Sequence, residues 1–507
     1  MIDINNKKKN LDSIGATLRE TVADEIEIID LKIKRKKSGL SRIAGYFSIF
    51  LIISLFFFGN RMSISENSSS SSSWFYNLPI VKQIKQLALS SETKLKGEKY
   101  DRINILLLGM GGRQHEGGYL TDTIMLASLE PSTKKIALVS IPRDLDMPME
   151  NSGWQKINSV NAYAEMENPG SGGMAVSQAV SDLLDLPIDY YVRIDFEGFI
   201  NIINLVDGIG VMVDNTLNDY EYPIMGRETA EDYSSRFEHL YIEAGWQEMD
   251  GELALKYARS RHGGSGEGSD FARARRQQKI LLAVKTELLN AKNLLKPKML
   301  SDIVGELNEH VSTNLKVWEM LKLWDMFKDI QKENITNKVL DNSANSLLIE
   351  SRNENGAYVL LPRSGDFAEI QYFVNNVFSD APKEQKTIVA KEKSSIEVRN
   401  GTWINGLASR VSMDLEKYGF TVVRIGNSSR QNFQKSVIYD LTYGEKAESL
   451  EILKAKTNAN VSLELPEWLA EDIKQEVSKE FSPIQPDFIL VLGQDADATS
   501  SGEENKE

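Results

Sequence analysis

Residues 103–129 read INILLLGMGGRQHEGGYLTDTIMLASL, and this stretch decides the fold. Ile103–Leu108 is a continuous apolar run, the pattern of a strand buried on both faces. It enters the Gly-rich loop Gly109-Met110-Gly111-Gly112, and Thr121–Leu129 resumes as a second strand, with Ile136–Ile141 (IALVSI) as a third. Helical spacing follows at Asn158–Met166 and Met174–Leu184, then a strand at Ile188–Phe196 (IDYYVRIDF) and an amphipathic helix up to Val206. Strands interleaved with helices of this length predict a three-layer α/β/α domain around a central mixed sheet.

The glycines invite a nucleotide reading that their context excludes. A P-loop needs GxxxxGK[ST] opening a helix, and a dinucleotide fingerprint needs GxGxxG in the same place. Here Gln114 stands at the third glycine position, no Lys-Ser/Thr follows, and the next element is a strand. Either the loop needs permissive backbone angles, or it lets backbone N–H groups approach a substrate.

A second stretch, Gly251–Ile280 (GELALKYARSRHGGSGEGSDFARARRQQKI), carries the chemistry. Between Lys256 and Lys279 lie seven basic and two acidic residues. Glu252–Arg259 has helical spacing, Gly263, Gly264, Gly266 and Gly268 mark a loop, and a second helix opens near Asp270 with Ser269 as its N-cap. On that helix Arg273, Arg276 and Gln277 stand at i, i+3 and i+4 and share one face. A solvated helix usually alternates sign to gain i,i+4 pairs. Arginines gathered without acidic partners repel one another unless an anion neutralises them, and guanidinium binds phosphate oxygens in pairs and never deprotonates. A pyrophosphate is the expected ligand.

Outward from these stretches, the 507-residue chain has a net charge of −14 and no cysteine. The missing cysteine excludes disulfide-stapled modules, zinc ribbons, iron–sulfur proteins and thiol enzymes. The acidic balance argues against nucleic acid as a partner, since phosphate contacts need surplus positive charge. Residues 1–60 carry 10 Lys+Arg against 7 Asp+Glu, which leaves 49 against 66, a net −17, for residues 61–507. Between the two parts, Ile43–Gly59 (IAGYFSIFLIISLFFFG) is 17 uncharged residues, at the short end of what spans a bilayer core. Lys32, Lys34, Arg35, Lys36, Lys37 and Arg42 precede it, and only Arg61 follows closely. The positive-inside rule then predicts a cell-membrane protein with one transmembrane helix (43–60), a cytoplasmic tail (1–42) and an extracytoplasmic remainder.

The serine run Ser63–Ser73 reads as a tether, within a linker and lead-in over 61–99. Residues 100–380 are assigned to the catalytic domain, with a Trp/Leu stripe at Trp318, Leu321 and Trp324 read as core packing, and the Lys/Glu-rich 381–394 to a solvated linker. From Ser395 a smaller α/β domain is expected to 497: strand IEVRNG, a helix from Gly406 through Tyr418, strands at 419–423 and Ser436–Asp440, a helix at Ala447–Thr457 and a last strand DFILVLG at Asp487–Gly493. Residues 498–507 are expected to be disordered.

These residues resemble the LytR-CpsA-Psr family of membrane-anchored cell-envelope phosphotransferases. The resemblance rests on NILLLG (Asn104–Gly109), TDTIML (Thr121–Leu126), VSIPRD (Val139–Asp144), IDYYVRIDFEGF (Ile188–Phe199), LVDGIGVMV (Leu205–Val213), ALKYARSR (Ala254–Arg261) and DFARARRQQ (Asp270–Gln278), in the family's order over residues 100–290. It implies transfer of a glycopolymer from a polyprenyl-pyrophosphate-linked glycan donor to a peptidoglycan acceptor, with release of polyprenyl phosphate. It also implies a magnesium ion, replaceable by manganese, an arginine cage around the pyrophosphate and a hydrophobic tunnel for the lipid. By motif position, Asp122 is the metal-side carboxylate, Arg143 contacts phosphate, and Arg259, Arg273 and Gln277 complete the catalytic set. Arg113, Arg261 and Arg276 are neighbouring substrate-binding residues, and Asp144 or Asp270 would orient arginines.

Gly111 departs from the family's G-x-D-x-R pattern, with His115 and Glu116 as substitutes; magnesium often takes only one or two protein carboxylates beside substrate phosphates. No general base is identified, and the four histidines look too dispersed to form a site. The C-terminal module, through Asn400-Gly401 and VLGQD (Val491–Asp495), resembles the LytR C-terminal domain. A polyprenyl-pyrophosphate hydrolase and a non-catalytic lipid-binding protein would use the same residues. A transcription regulator is disfavoured, because about 40 cytoplasmic residues are too few for a stable DNA-binding core.

Overall fold

The computed structural model describes residues 93–500 apart from 114, 116, 150–152, 228, 265, 290–309, 328, 343–345 and 478–484. The expected tail, transmembrane helix and most of the serine linker lie outside these residues. Among the described residues no helix is long and apolar enough to cross a membrane.

The strands in chain order are β1 (Ile103–Met110), β2 (Thr121–Glu130), β3 (Lys135–Ile141), β4 (Asp146–Met149), β5 (Gly153–Lys156), β6 (Tyr190–Asp195), β7 (Ile209–Val213), β8 (Leu217–Pro223), β9 (Phe237–Ile242), β10 (Gly245–Met249), β11 (Val311–Thr313), β12 (Ile335–Val339), β13 (Leu348–Arg352) and β14 (Tyr358–Pro362). The helices of the same region are α1 (Val160–Glu167), α2 (Gly172–Leu184), α3 (Phe196–Leu205), α4 (Gly251–Arg259), α5 (Asp270–Leu289), α6 (Val317–Phe327) and α7 (Ala368–Asn375). Six strands form one sheet in the order β11-β6-β1-β2-β3-β12. It is mixed: β1 is antiparallel to β2 and parallel to β6, and β3 is antiparallel to β2 and parallel to β12.

The apolar run of β1 is continuous because both of its faces are covered. Leu106 and Leu108 belong to a core with Val160 of α1, Val176 and Val180 of α2 and Ile370 and Val374 of α7. Ile103, with Ile105 and Leu107 against it, belongs to a second core with Leu323 and Phe327 of α6 and Leu281 of α5. Each fully buried leucine contributes roughly 1.5–3 kcal/mol, so the expected three layers follow from this one run. A third core joins α3, α4 and α5 to β7–β10 through Ile203, Val211, Leu217, Leu240, Tyr257 and Ile280. It contains the β8–β9 hairpin, which the sequence pattern did not signal.

The C-terminal domain holds α8 (Lys383–Glu392), β15 (Ser395–Asn400), α9 (Leu407–Lys417), β16 (Thr421–Asn427), β17 (Val437–Asp440), α10 (Ala447–Thr457), β18 (Asn460–Ser462), α11 (Glu467–Val477), β19 (Phe488–Leu492) and α12 (Asp495–Ser500). Its sheet runs β16-β15-β19-β17-β18. The solvated linker expected over 381–394 is instead mostly helix: α8 buries Val389 in this domain's core beside Ile396 and Leu415. The tail expected to be disordered begins inside α12. The two domains touch where the Tyr372 hydroxyl donates to Asp414 (2.8 Å) and Arg363 donates to Ser409 Oγ (3.0 Å). A cleft of about 380 Å³ opens there, lined among others by Lys135, Lys338, Tyr372, Met413 and Lys417. Lys135 begins β3, at the sheet edge opposite Arg143, so this cleft lies apart from the arginine motifs.

Candidate active site

The C-terminal ends of β1, β3 and β6 and the start of β2 share one edge of the sheet. Met110 pairs with Asp195 on one side and Thr121 on the other, and Ile124 faces Ile141 at the end of β3. Ligands of open α/β sheets bind outside the carboxyl ends of strands, and here that edge carries Asp122, Arg143, Asp195 and the Gly-rich loop.

The loop closes on itself. Gly112 N–H donates to Gly118 O (2.8 Å), Gly118 N–H to His115 O (2.9 Å) and His115 N–H to Gly112 O (3.2 Å). These amides are spent within the loop and do not face a ligand. The glycines answer to space and backbone angle: a Cβ on Gly118 would lie 1.8 Å from Gly112 O, and Gly112 has φ +93° with Asp195 Cβ 3.2 Å from where its own Cβ would stand. The reading of permissive backbone angles is the one the loop fits.

At the sheet edge Arg143 Nη1 donates to Asp122 Oδ1. The Arg143 and Asp122 side chains are 20 % and 38 % exposed, so the pair remains accessible from solvent. Asp144 holds the arginine from behind, with Oδ2 3.5 Å from Arg143 Nε and Oδ1 2.6 Å from Lys156 Nζ. Asp144 is thus in ion-pair range of Arg143, and Lys156 shares it.

A second arginine group is built by α4, α5 and the loop between them. Arg259, in the last turn of α4, lays its guanidinium 4.3 Å from the Phe196 ring centroid and donates to Tyr222 Oη at 3.4 Å. Phe196 directly follows Asp195, so Arg259 approaches the same loop that Asp122 borders. The intervening loop is bracketed from two sides. Buried Asp219 accepts from Ser260 Oγ (2.6 Å), His262 N–H (3.2 Å), Arg261 N–H (3.3 Å) and Glu221 N–H (2.9 Å). These donors hold its carboxyl below the usual range although burial alone would raise it.

From the other side Arg276, only 2 % exposed, donates to the carbonyls of Tyr257 (2.8 Å), Glu267 (2.8 Å) and Ser260 and to Glu267 Oε2 (2.8 Å). This corrects its assignment to substrate: its donors are committed to the chain, and desolvation lowers its pKa against the opposing pull of Glu267. Tyr257 beneath it is pushed up to about 12 by burial.

The Ser269 hydroxyl caps α5 by accepting from Ala272 N–H (3.0 Å), as expected. Phe271 packs against the first core and so anchors the opening turn of α5. Arg273 is buried near the start of this helix, and Gln277 Nε2 lies 3.4 Å from Ala258 O. Arg261 enters the bracketed loop through its backbone, and exposed Arg113 donates to Tyr119 Oη (3.1 Å). The side chain of Asp270 and residues Gln114 and Glu116 fall outside the described parts.

Sequence reasoning missed Asp195, Phe196, Asp219 and Tyr222. The histidines are less dispersed in space than in sequence: the His115 ring lies 5.3 Å from Phe196, and His310 Nδ1 lies 2.9 Å from Asp195 Oδ2. Among the described residues no three His, Cys, Asp or Glu side chains gather as a metal cage. At position 111 a Cβ would meet His115 Cβ at 3.2 Å. This donor set suits a partly hydrated magnesium held by Asp122 and substrate oxygens, and does not suit a metal fully enclosed by protein.

Residues 393–495 match the model described as LytR cell envelope-related transcriptional attenuator. The polyisoprenyl-teichoic acid–peptidoglycan teichoic acid transferase TagV of Bacillus subtilis is 28 % identical over 256 residues, 49 % of this chain and 60 % of that protein. The cell wall biosynthesis protein LcpA of Corynebacterium glutamicum is 23 % identical over 376 residues, 69 % of this chain and 67 % of that protein. The crystal structure of B. subtilis TagV superposes with a TM-score of 0.41 at 25 % identity, covering 56 % of this chain and 99 % of that one. The chain thus spans about three fifths of TagV's own length. Because the model of the LytR_cpsA_psr family matches residues 72–376, which hold both arginine groups and the glycine loop, the chain belongs to that family.

Proposed function

We propose that the protein transfers a glycopolymer from a polyprenyl-pyrophosphate carrier to peptidoglycan. One observation carries the reading: Arg143, paired with Asp122 just after the glycine loop, and Arg259, on Phe196 beside that loop's His115, both border a single glycine loop. Guanidinium groups held this way suit a diphosphate, whose oxygens accept paired N–H bonds. The transferases named among the relatives support the same class of donor and acceptor.

In the proposed reaction an acceptor hydroxyl oxygen forms a bond to the phosphorus that carries the glycan. The bond from that phosphorus to the bridging oxygen breaks, polyprenyl phosphate leaves, and the hydroxyl proton passes to solvent or a nearby base. Charge develops on the equatorial and bridging oxygens, and catalysis of this step rests on alignment and electrostatic stabilisation. Arg143, kept in place by Asp144, and Arg259, flattened on Phe196, would neutralise it. Asp219 and Arg276 act through the loop that fixes Arg259. Asp122 would hold magnesium or manganese, which when bound supplies further neutralisation of the diphosphate.

The same proposal places Ile43–Gly59 across the cell membrane, with the basic flank inside and both folded domains outside. Its support is the charge asymmetry of the flanks.

The test is product analysis by mass spectrometry after incubating the full-length chain with polyprenyl-pyrophosphate-linked sugar, magnesium and peptidoglycan fragments. The expected product is a phosphodiester-linked glycan together with polyprenyl phosphate. Free glycan phosphate in place of the phosphodiester, again with polyprenyl phosphate, would make the protein a hydrolase, and no release at all would reject both.

A further inference from the structure

The hairpin β8–β9 has two faces with different work. Its inner face supplies Asp219 and Tyr222, which fix the arginine loop and Arg259. Its outer face is a row of aromatic rings in solvent. Tyr220 and His239 stack with centroids 4.1 Å apart and planes 2° from parallel, and Tyr241 continues the row 6.3 Å from His239. His239 Nε2 is held by Asn218 Oδ1 at 2.7 Å, and Asn218 pairs across the strands with Tyr241. Tyr220 is 67 % exposed and Tyr241 57 %. Because His239 covers one face of the Tyr220 ring, that exposure leaves the opposite face open.

We infer that this outer face is a shelf for an uncharged saccharide chain, which in the transferase reading is the glycan backbone of the acceptor. Fixed ring faces are complementary to the C–H-rich faces of pyranose rings, and little side-chain entropy is lost when rings are already stacked and hydrogen-bonded. The Asn218 amide and the two phenol hydroxyls add donors and acceptors beside them. The surrounding charge selects the occupant. Glu221 and Glu243 are exposed beside the row, and Glu238 is matched to Lys256 at 2.6 Å. Arg236, at the far end of the hairpin, is turned onto Tyr233 and the Ala230 carbonyl. A rim of this sign repels an anionic bilayer or polyanion and leaves a neutral sugar chain favoured. One element also carries both features: the strand that presents Tyr220 outward presents Tyr222, which accepts from Arg259, inward, so a chain on the shelf is tied to the second arginine group through β8.

The inference rests on the transferase reading only for the identity of the sugar as acceptor; the binding itself is separable. Tetra-N-acetylchitotetraose is titrated calorimetrically into the full-length chain, in a detergent without a sugar headgroup. Wild type is expected to bind. The double substitution Tyr220→Ala with Tyr241→Ala is expected to weaken binding by about tenfold or more, Tyr220→Phe to retain it, and Arg430→Ala, in the C-terminal domain, to leave it within about twofold. The shelf is overturned if wild type does not bind, or if the double alanine variant binds as well as wild type. It is also overturned if the double variant keeps the sugar and instead loses adhesion to phosphatidylglycerol vesicles. Failure of the transferase reading would appear elsewhere, as donor cleavage insensitive to Arg259→Ala, with the saccharide titration unchanged.

Discussion

Arginines that look alike in the sequence divide at the level of single residues into two kinds of work. Arg143 sits in a partly exposed pair with Asp122, whereas Arg276 is buried and spends its donors on three carbonyls and Glu267. Removing one partner of a buried ion pair costs about 3–5 kcal/mol, because the other is left uncompensated. Arg276→Ala should therefore lower unfolding stability in urea by about that amount. Arg143→Ala should change it by about 1 kcal/mol or less, yet reduce polyprenyl phosphate release about 10²–10³-fold.

Asp219 gives a prediction of opposite dependence on acid. Its pKa is lowered in the folded chain, so its stabilisation is full above the unfolded value of 3.8 and is lost as pH falls through the lower folded value. Urea unfolding measured from neutral pH downward should show Asp219→Asn less stable than wild type at neutral pH. The gap should narrow below about pH 4 as the wild-type carboxyl protonates. Neither role was legible beforehand. The i, i+3, i+4 spacing put Arg273, Arg276 and Gln277 on one face, but which of them turned toward Ser260 depended on a loop closure that spacing does not encode. Asp219 lies 41 residues from the serine it binds.

Local pattern succeeded for elements whose burial was itself local. The strands β1, β2 and β3 and the cap at Ser269 could be read because apolar runs and capping residues act over a few positions. The β8–β9 hairpin escaped because polar Asp219 interrupts its apolar inner face and aromatic Tyr220 and Tyr241 stand on its outer face, which blurs the usual alternation. Helix α8 escaped because a Lys/Glu-rich surface concealed the one face that buries Val389. The glycine loop was recognised, but its purpose was ambiguous until its amides were seen to bond one another. Gly118→Ala should push the new Cβ into Gly112 O and open this turn. Hydrogen exchange at the Gly112 amide should speed by about tenfold or more, while exchange in β1 stays protected. Unchanged exchange at Gly112 would mean that the turn is not closed in solution.

The whole molecule joins an acidic surface to a basic interior feature. The net charge of −14 describes its exterior and still admits a phosphate-binding reading, because Arg143 pairs with Asp122 at the sheet edge and Arg259 lies on Phe196, next to the end of β6. The C-terminal domain has cores of its own and meets the larger domain at α7 and α9, away from that edge. Arginines of the two domains should therefore differ in kind. Arg430, whose guanidinium lies 5.5 Å from the Trp468 ring centroid, belongs to the C-terminal domain's surface, and Arg259 to the proposed cage. The most direct measurement is polyprenyl phosphate release by full-length Arg259→Ala and Arg430→Ala chains, assayed side by side on the same donor with magnesium and peptidoglycan fragments. A local cage predicts about a 10²–10³-fold loss for Arg259→Ala and wild-type release for Arg430→Ala; equal rates in the two variants would contradict it.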